Sequence, residues 1–231
     1  MVNIIINQKV FKPNNNTNIN MLPGDLQRSP DESFLKNLIL KDTIVFIDEA
    51  FLSKLSRHFG EGIYIKFDRF NFAKKISDKE KLNLLDTFLY IAPPFQGNPP
   101  TKEEELKKEG YDHLIRKLKE KKIIVREGRC QRLNIDGKFQ YSQKAVDVYL
   151  AMDLTNTPVK YPKIDKIILI SSDSDFVPVI KNLKENDIKT ILYTYYEKTR
   201  NSNFSRSNHL IKSVYKYKLL CKEDMLSCLL E

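Results

Sequence analysis

The chain has 231 residues and a formal net charge of +9, from 39 Lys and Arg against 30 Asp and Glu. This length fits one ordinary domain with an extension, or two small domains, and the positive excess suggests a polyanionic partner without proving one. No apolar run approaches the ~18 residues of a membrane span, and the short apolar run at residues 4–6, before an Asn-rich stretch, is unlike a signal peptide. The three cysteines form no CxxC or Cys/His ligand set, which predicts no structural zinc and favours a reducing, cytoplasmic compartment.

The first 39 residues are predicted to form a partly irregular extension. Residues 2–6 are compatible with an edge strand and residues 34–40 with a short helix, but the Asn-rich and Pro-Gly stretches between them oppose regular structure. The main domain is expected over residues 40–220, followed by a short terminal helix within residues 221–231.

The first convincing buried strand is predicted at residues 43–47. It ends at Asp48, and residues 49–59 then have the pattern of a helix. Asp48 is therefore an acid at the tip of a buried strand, where it either caps the helix or belongs to a functional site.

Strand and helix patterns then alternate, which predicts an α/β fold with a mostly parallel central sheet flanked by helices. The expected helices lie at residues 67–76 and 102–119, the expected strands at 84–91, 123–125 and 190–194, and a hairpin is compatible with the Asp136-Gly137 turn.

Residues 143–154 are predicted to form a helix in which Lys144, Asp147 and Leu150 share one face. Because that face is otherwise apolar, Asp147 is expected to point towards the protein, where a carboxylate needs a partner or a metal ion. The alternative is an ion pair between Asp147 and Lys144 on the same helix. Asp153 lies on another side of the helix and is a poorer candidate.

Four consecutive aliphatic residues at 167–170 predict a strand buried on both faces. Asp173 and Asp175 follow it directly, at the end of the strand where open α/β sheets bind ligands. Two carboxylates this close repel one another, so both stay ionised only beside a cation or in water. The alternative is that Asp173 is a helix N-cap and Asp175 a favourable charge near the helix N-terminus.

Three ordered motifs resemble the NYN domain of the PIN-like nuclease superfamily, in particular its LabA-like branch. They are Phe46-Ile47-Asp48 with Ala50 and Leu52; KAVDV at residues 144–148 with Leu150-Ala151 and Asp153-Leu154; and IDKIILISSDSDFVP at residues 164–178. The resemblance implies a three-layer, Rossmann-like PIN fold. This chain departs from the family pattern at Glu49 and Phe51, where the family has Gly and Asn, and at Ser172, which replaces a Gly.

The resemblance further implies that Asp48, Asp147, Asp173 and Asp175 form a catalytic, metal-binding set for Mg²⁺ or Mn²⁺. The expected activity is endonucleolytic hydrolysis of RNA phosphodiester bonds, leaving 5′-phosphate and 3′-hydroxyl ends. The expected partner is RNA, with another nucleic acid as the alternative and with no membrane, and homo-oligomerisation is left open. The alternative is a catalytically weak nucleic-acid-binding or regulatory module. It is favoured by Phe51, whose ring is expected to cover the acidic site one helical turn past Asp48, and by Ser172.

The expected substrate-binding residues are Lys144, Ser171, Ser174, Arg129, Arg132 and Arg206. The alternative for each basic residue among them is a solvated surface charge, which is the more frequent role of a surface cation. No aromatic-rich recognition motif is evident in the sequence, so RNA binding is expected to be mainly electrostatic.

Overall fold

A computed structural model describes residues 40–199 and 203–230 of the chain. The strand expected at residues 2–6 lies outside this described part, as does the helix expected at residues 34–40 except for its last residue, Leu40, which is not helical.

The described strands form one large sheet and one hairpin. They are β1 (Asp42–Asp48), β2 (Asn83–Ile91), β3 (Ile124–Glu127), β4 (Arg129–Ile135), β5 (Lys138–Lys144), β6 (Lys166–Ile170), β7 (Lys189–Thr194) and β8 (Lys216–Leu219). Six of them form a sheet in the order β3-β2-β1-β6-β7-β8. Every neighbouring pair in that sheet is parallel, whereas β4 and β5 pair antiparallel in a separate two-stranded sheet.

The strand order contains one reversal of direction. The chain moves outwards from β1 to β3, returns to place β6 beside β1, and then moves outwards the other way to β8. The register pairs Ile47 of β1 with Ile170 of β6, so the carboxyl ends of both strands lie side by side. Ligands of doubly wound sheets bind at this kind of switch point.

Helices cover both faces of the large sheet. In the described residues these are α1 (Glu49–Phe59), α2 (Arg69–Lys79), α3 (Lys102–Glu120), α4 (Val146–Thr155), α5 (Thr157–Lys160), α6 (Val177–Glu185), α7 (Asn208–Ser213) and α8 (Lys222–Leu226). A short 3₁₀ helix, Ser174–Phe176, precedes α6.

Two apolar layers lie on opposite faces of the sheet. Ile47 packs with α1, α2, α3 and α8 in one layer, while Phe46 packs with α4, α6 and α7 in the other. Because both faces are covered, β1 is apolar at successive positions rather than at alternate ones. The expected three-layer α/β fold with a parallel central sheet is confirmed.

The C-terminal segment packs against the domain. Met225 and Cys228 are buried, and the Asp68 N–H donates to the Cys228 carbonyl at 2.7 Å. None of the helices within residues 40–199 and 203–230 is long and apolar enough to cross a membrane.

Candidate acidic site

Asp48 is held by two hydrogen bonds at the carboxyl end of β1. It caps α1, since its Oδ1 accepts from the Phe51 backbone N–H at 3.1 Å, and its Oδ2 accepts from the Ser171 hydroxyl at 3.0 Å. Burial, opposed by these hydrogen bonds and assisted by the nearby charges of Asp147 and Asp173, raises the pKa of Asp48 to about 6. Asp48 is therefore both a helix cap and a buried acid within reach of two other acids.

Asp173 lies just beyond β6 and also caps a helical turn. Its Oδ1 accepts from the Asp175 backbone N–H at 2.9 Å at the start of the 3₁₀ helix, while Asp175 itself is exposed. The capping alternative is thus confirmed for both Asp48 and Asp173. Capping occupies one oxygen of Asp173, and no described residue donates a hydrogen bond to its Oδ2, so the cap does not exclude a ligand.

Ser171 connects the two strand ends. Its side chain is completely buried, its hydroxyl donates to Asp48, and its Oγ accepts from the Asp173 backbone N–H at 3.1 Å. The prediction that Ser171 binds substrate is wrong, because a fully buried hydroxyl has no surface to offer. Ser171 instead fixes the distance between Asp48 and Asp173. Ser174, half-buried in the 3₁₀ helix, remains a predicted substrate contact.

Asp147 reaches the site from α4, which begins later than predicted. Lys144 ends β5, and Ala145 takes a left-handed conformation, with φ 67°, that a right-handed helix cannot include. The helix therefore starts at Val146 rather than at residue 143.

The expected orientation of Asp147 is also wrong. The buried side of α4 carries Val146, Leu150 and Leu154, whereas Asp147 is exposed and forms no ion pair with Lys144. Partial burial, then the charges of Asp173 and Asp175, raise the pKa of Asp147. Asp147 therefore faces the other acids across solvent.

The four acids are near neighbours but do not form a closed cage. Asp48 is coupled electrostatically to Asp147 and Asp173, and Asp147 to Asp173 and Asp175. Within the described part of the chain, no three His, Cys, Asp or Glu side chains converge into a preformed metal-binding cluster. An open set of carboxylate oxygens fits Mg²⁺ or Mn²⁺, because Mg²⁺ keeps several waters and uses one or two carboxylates together with substrate phosphates.

The departures at residues 49 and 51 have structural explanations. Glu49 is buried and accepts two hydrogen bonds from Arg69, at 2.6 and 3.2 Å. Phe51 is 5% exposed and belongs to the apolar layer beneath α1. The expectation that the Phe51 ring covers the acidic site is therefore wrong.

Asp153, the poorer candidate in the sequence, belongs to a network of ion pairs and hydrogen bonds in the fold. It is buried and accepts hydrogen bonds from Tyr90 at 3.1 Å, Arg126 at 2.8 Å and Lys160 at 3.3 Å. Burial by itself would raise the pKa of Asp153, but the hydrogen bonds from these donors, that of Arg126 first, outweigh burial and lower the pKa.

Three of the four predicted basic contacts lie on one element. Arg129, Arg132 and Lys144 belong to the β4–β5 hairpin, with Arg129 opposite Lys144 at its base. Arg206 lies elsewhere, exposed with its guanidinium 5.1 Å from the Tyr196 ring. Its neighbours Ser205 and Ser207 line the same small cavity as Ser172, so this loop borders the site.

The sequence interpretation missed the aromatic residues of the hairpin. Phe139 and Tyr141 lie on one face of β5, and the Tyr141 ring contacts Phe95 from the loop after β2. The available signal was the two-residue spacing of Phe139 and Tyr141 within a predicted strand. Phe95 could not be added to them from sequence spacing.

Comparison with known proteins agrees with the fold. The family model for the NYN domain matches residues 42–214. The crystal structure of a protein of unknown function from Vibrio parahaemolyticus superposes with a TM-score of 0.51 at 16% sequence identity, covering 80% of this chain and 96% of that chain. At this identity the likeness concerns the fold alone. A comparison with curated proteins finds no significant match.

Proposed function

Because this chain belongs to the NYN domain family, we propose that it is a metal-dependent endoribonuclease acting through Asp48, Asp147, Asp173 and Asp175. The observation that carries the proposal is the placement of these acids at the switch point between β1 and β6, where Ser171 bonds both the Asp48 carboxylate and the Asp173 backbone N–H. Clustering like charges costs stability, and a divalent cation bound among them would offset that cost.

The acids have different roles in this proposal. Asp147, Asp173 and Asp175, which retain solvent access, would hold Mg²⁺ or Mn²⁺. Asp48 would be the fourth carboxylate, on the buried side of the site. Bound there, the cation would supply positive charge to stabilise the scissile phosphate and to lower the pKa of an attacking water. Ser171 and the Phe51 backbone N–H orient Asp48, so that its carboxylate does not reorganise during the reaction.

Basic residues would hold the RNA backbone. We assign this role to Arg129, Arg132 and Lys144 on the hairpin and to Arg206 beside the site, with Ser174 as a further contact. We place the activity in the cytoplasm, which is supported by three cysteines that are all free thiols.

The test is cleavage of labelled single-stranded and structured RNAs with Mn²⁺, Mg²⁺ or EDTA. We expect cleavage with metal and none with EDTA. Asp173→Asn should lower the rate by at least roughly 100-fold and weaken Mn²⁺ binding in calorimetry, because it removes one charge while an amide oxygen can still cap the 3₁₀ helix. Asp187→Asn, which changes an exposed acid before β7, is the matched control.

Undiminished Mn²⁺ binding by the Asp173 variant, or cleavage that persists in EDTA, would refute the proposal. Binding of RNA by the wild-type protein without cleavage would instead support the catalytically weak module. Since Phe51 is a core residue, its presence gives no ground for that alternative.

A further inference from the structure

We propose that the β4–β5 hairpin, together with Phe95, is an arm that binds single-stranded RNA by stacking bases on its exposed rings. The proposal rests on the proposed ribonuclease function, because the arm would deliver the strand to the acidic site. It names the form of RNA that the site accepts and the residues that select it.

The hairpin is attached directly beside the acids. It follows β3 at the carboxyl edge of the large sheet, where the Gly128 N–H donates to the Ile91 carbonyl at 2.8 Å. Its second strand ends at Lys144, and only Ala145 and Val146 separate that residue from Asp147. A strand of RNA lying along the hairpin therefore reaches the acidic site at the hairpin base.

One face of the hairpin carries an aromatic cluster around a guanidinium. The register places Arg132 opposite Tyr141 and Asn134 opposite Phe139, so these side chains share a face. The Arg132 guanidinium carbon lies 4.5 Å from the centroids of both the Phe95 and Phe139 rings. The Phe95 and Tyr141 centroids are 5.7 Å apart.

This cluster is open to solvent. Phe139 and Tyr141 are 58% and 57% exposed, although rings of this size are normally used to bury apolar area. The exposed faces of such rings bind unpaired bases by stacking, at about 1–3 kcal/mol per base, and a nearby Arg adds cation–π attraction.

The charge of the hairpin fits a phosphate backbone. Its two strands and turn contain four cations, Arg129, Arg132, Lys138 and Lys144, and one acid, Asp136. Arg129 and Lys144 stand directly opposite each other, a like-charge pair that is unfavourable in a sheet by itself. A phosphate near this pair would relieve the repulsion at the position closest to the acids.

The combination selects single strands over duplexes. In a duplex the base faces are covered by their neighbours, so exposed rings gain nothing from it, whereas unpaired bases present free faces. Phosphate contacts from the basic residues are available to both forms. The rings therefore supply the discrimination and the cations supply the general attraction.

The experiment measures binding by fluorescence anisotropy in EDTA, which keeps the RNA intact, with a labelled 12-nucleotide single strand and a labelled 12-base-pair duplex. The Phe139→Leu, Tyr141→Leu double variant keeps apolar bulk and removes both rings. We expect its affinity for the single strand to fall roughly tenfold to a hundredfold, with duplex affinity unchanged. Tyr215→Ala, which removes a ring 61% exposed directly before β8, should bind both RNAs as the wild type does.

Thermal unfolding of each variant establishes that it is folded, and Phe139→Trp, which keeps a ring, should retain single-strand affinity. The arm proposal is refuted if the double variant binds the single strand as tightly as the wild type, or if it loses equal affinity for both RNAs. If the wild-type protein cleaves no RNA while the double variant shows the expected loss of single-strand binding, the ribonuclease proposal is refuted and the arm proposal stands. If the wild type cleaves RNA while the double variant binds the single strand as tightly as the wild type does, the arm proposal is refuted and the ribonuclease proposal stands.

Discussion

Asp48 combines two demands on one carboxylate. Its hydrogen bonds from Phe51 and Ser171 favour the ionised form, but burial outweighs them and raises its pKa to about 6. An acid retained at such an energetic disadvantage is characteristic of functional sites. The free-energy cost of ionising Asp48 is present in the metal-free protein, and it can be measured as a lower free energy of unfolding.

Asp48→Asn should stabilise the metal-free protein above pH 6. The unfolded chain has the lower pKa, near 3.8, and the folded chain the higher one, so the favourable contribution of Asp48 is present below pH ~4 and is lost as the pH rises through about 6. Since a tenfold change in proton affinity is worth about 1.4 kcal/mol, the gain at pH 7.5 should approach about 3 kcal/mol. Urea denaturation in EDTA at pH 4 and pH 7.5 measures it.

The gain should vanish near pH 4, where Asp48 is protonated in the folded protein. Asp187→Asn is the control for changing the net charge by one, and it should change the free energy of unfolding by less than about 0.5 kcal/mol at either pH. An Asp48 variant that is equally destabilised at both pH values would show that its hydrogen bonds matter more than its burial.

Glu49 and Arg69 form a buried ion pair next to the site, and both side chains are 4% exposed. Arg69 also donates to the Phe67 carbonyl at 2.7 Å and to the Tyr64 hydroxyl. Removing one partner of a buried pair leaves the other charge without compensation, which typically costs about 3–5 kcal/mol. The pair explains how an acid is accommodated at position 49 without joining the acidic site.

Glu49→Ala should therefore lower the free energy of unfolding by about 3–5 kcal/mol in urea denaturation. Combining Glu49→Leu with Arg69→Met should cost much less than the sum of the single changes, because no charge remains buried. Glu103→Ala removes an exposed pair with Lys107 and should cost less than about 1 kcal/mol. Equal effects of the Glu49 and Glu103 changes would contradict the burial of the first pair.

Among the elements, the base of the hairpin tolerates little change at Gly128. A Cβ added at Gly128 would lie 2.5 Å from the Lys144 carbonyl oxygen and 2.6 Å from Val146 Cγ2. Both contacts are shorter than a Cβ can have, and one of them is to backbone. Gly128 thus allows the hairpin and the first turn of α4 to approach closely enough to position Asp147.

Gly128→Ala should destabilise the protein by about 1–3 kcal/mol, as overpacking does. It should also reduce Mn²⁺-dependent cleavage at temperatures where the variant remains folded, because the displacement is transmitted to Asp147. Gly110→Ala, in the middle of α3, where the added Cβ has no atom within 4 Å apart from the adjacent residues and the backbone of its own helix, should instead stabilise by about 0.5–1 kcal/mol. Thermal unfolding and cleavage assays compare the two, and a stable Gly128 variant with full activity would contradict the argument.

The elements also show where sequence reasoning succeeded and failed. Buried parallel strands were predictable, since covering both faces makes them apolar at successive positions, as in β1 and β6. The start of α4 was not predictable, because the left-handed conformation of Ala145 depends on packing rather than on its side chain. Because the predicted helix began too early, Asp147 was wrongly predicted to point towards the interior. The positions of Asp48 and Asp173 followed from strand ends, but the buried bridge through Ser171 depends on three-dimensional contact.

At the scale of the whole molecule, the acids and the basic hairpin occupy the same edge of the sheet. Asp48, Asp173 and Asp175 lie at or just beyond the carboxyl ends of β1 and β6, and the hairpin begins at the carboxyl end of β3. The acidic side chains for metal binding and the basic side chains for the RNA backbone thus form two separate regions along the same edge of the sheet. An RNA strand can contact both regions at once.

The net charge of +9 then predicts a strong dependence of RNA binding on salt. For single strands, the slope of log K against log salt is about −0.7 per phosphate neutralised, so four hairpin cations predict a slope between about −2 and −3. Anisotropy titrations of a single-stranded RNA in EDTA over a range of KCl concentrations measure this slope.

Arg129→Gln with Lys144→Gln, the opposed pair at the hairpin base, should make the slope shallower by about 1.4, because two phosphate contacts are lost. Lys181→Gln with Lys184→Gln, which removes two exposed charges from α6, makes the same change in net charge away from the hairpin and should leave the slope nearly unchanged. Equal effects of the two double variants would mean that RNA responds to the overall charge of the molecule rather than to the hairpin. A slope near zero in the wild type would mean that the positive surface serves another purpose.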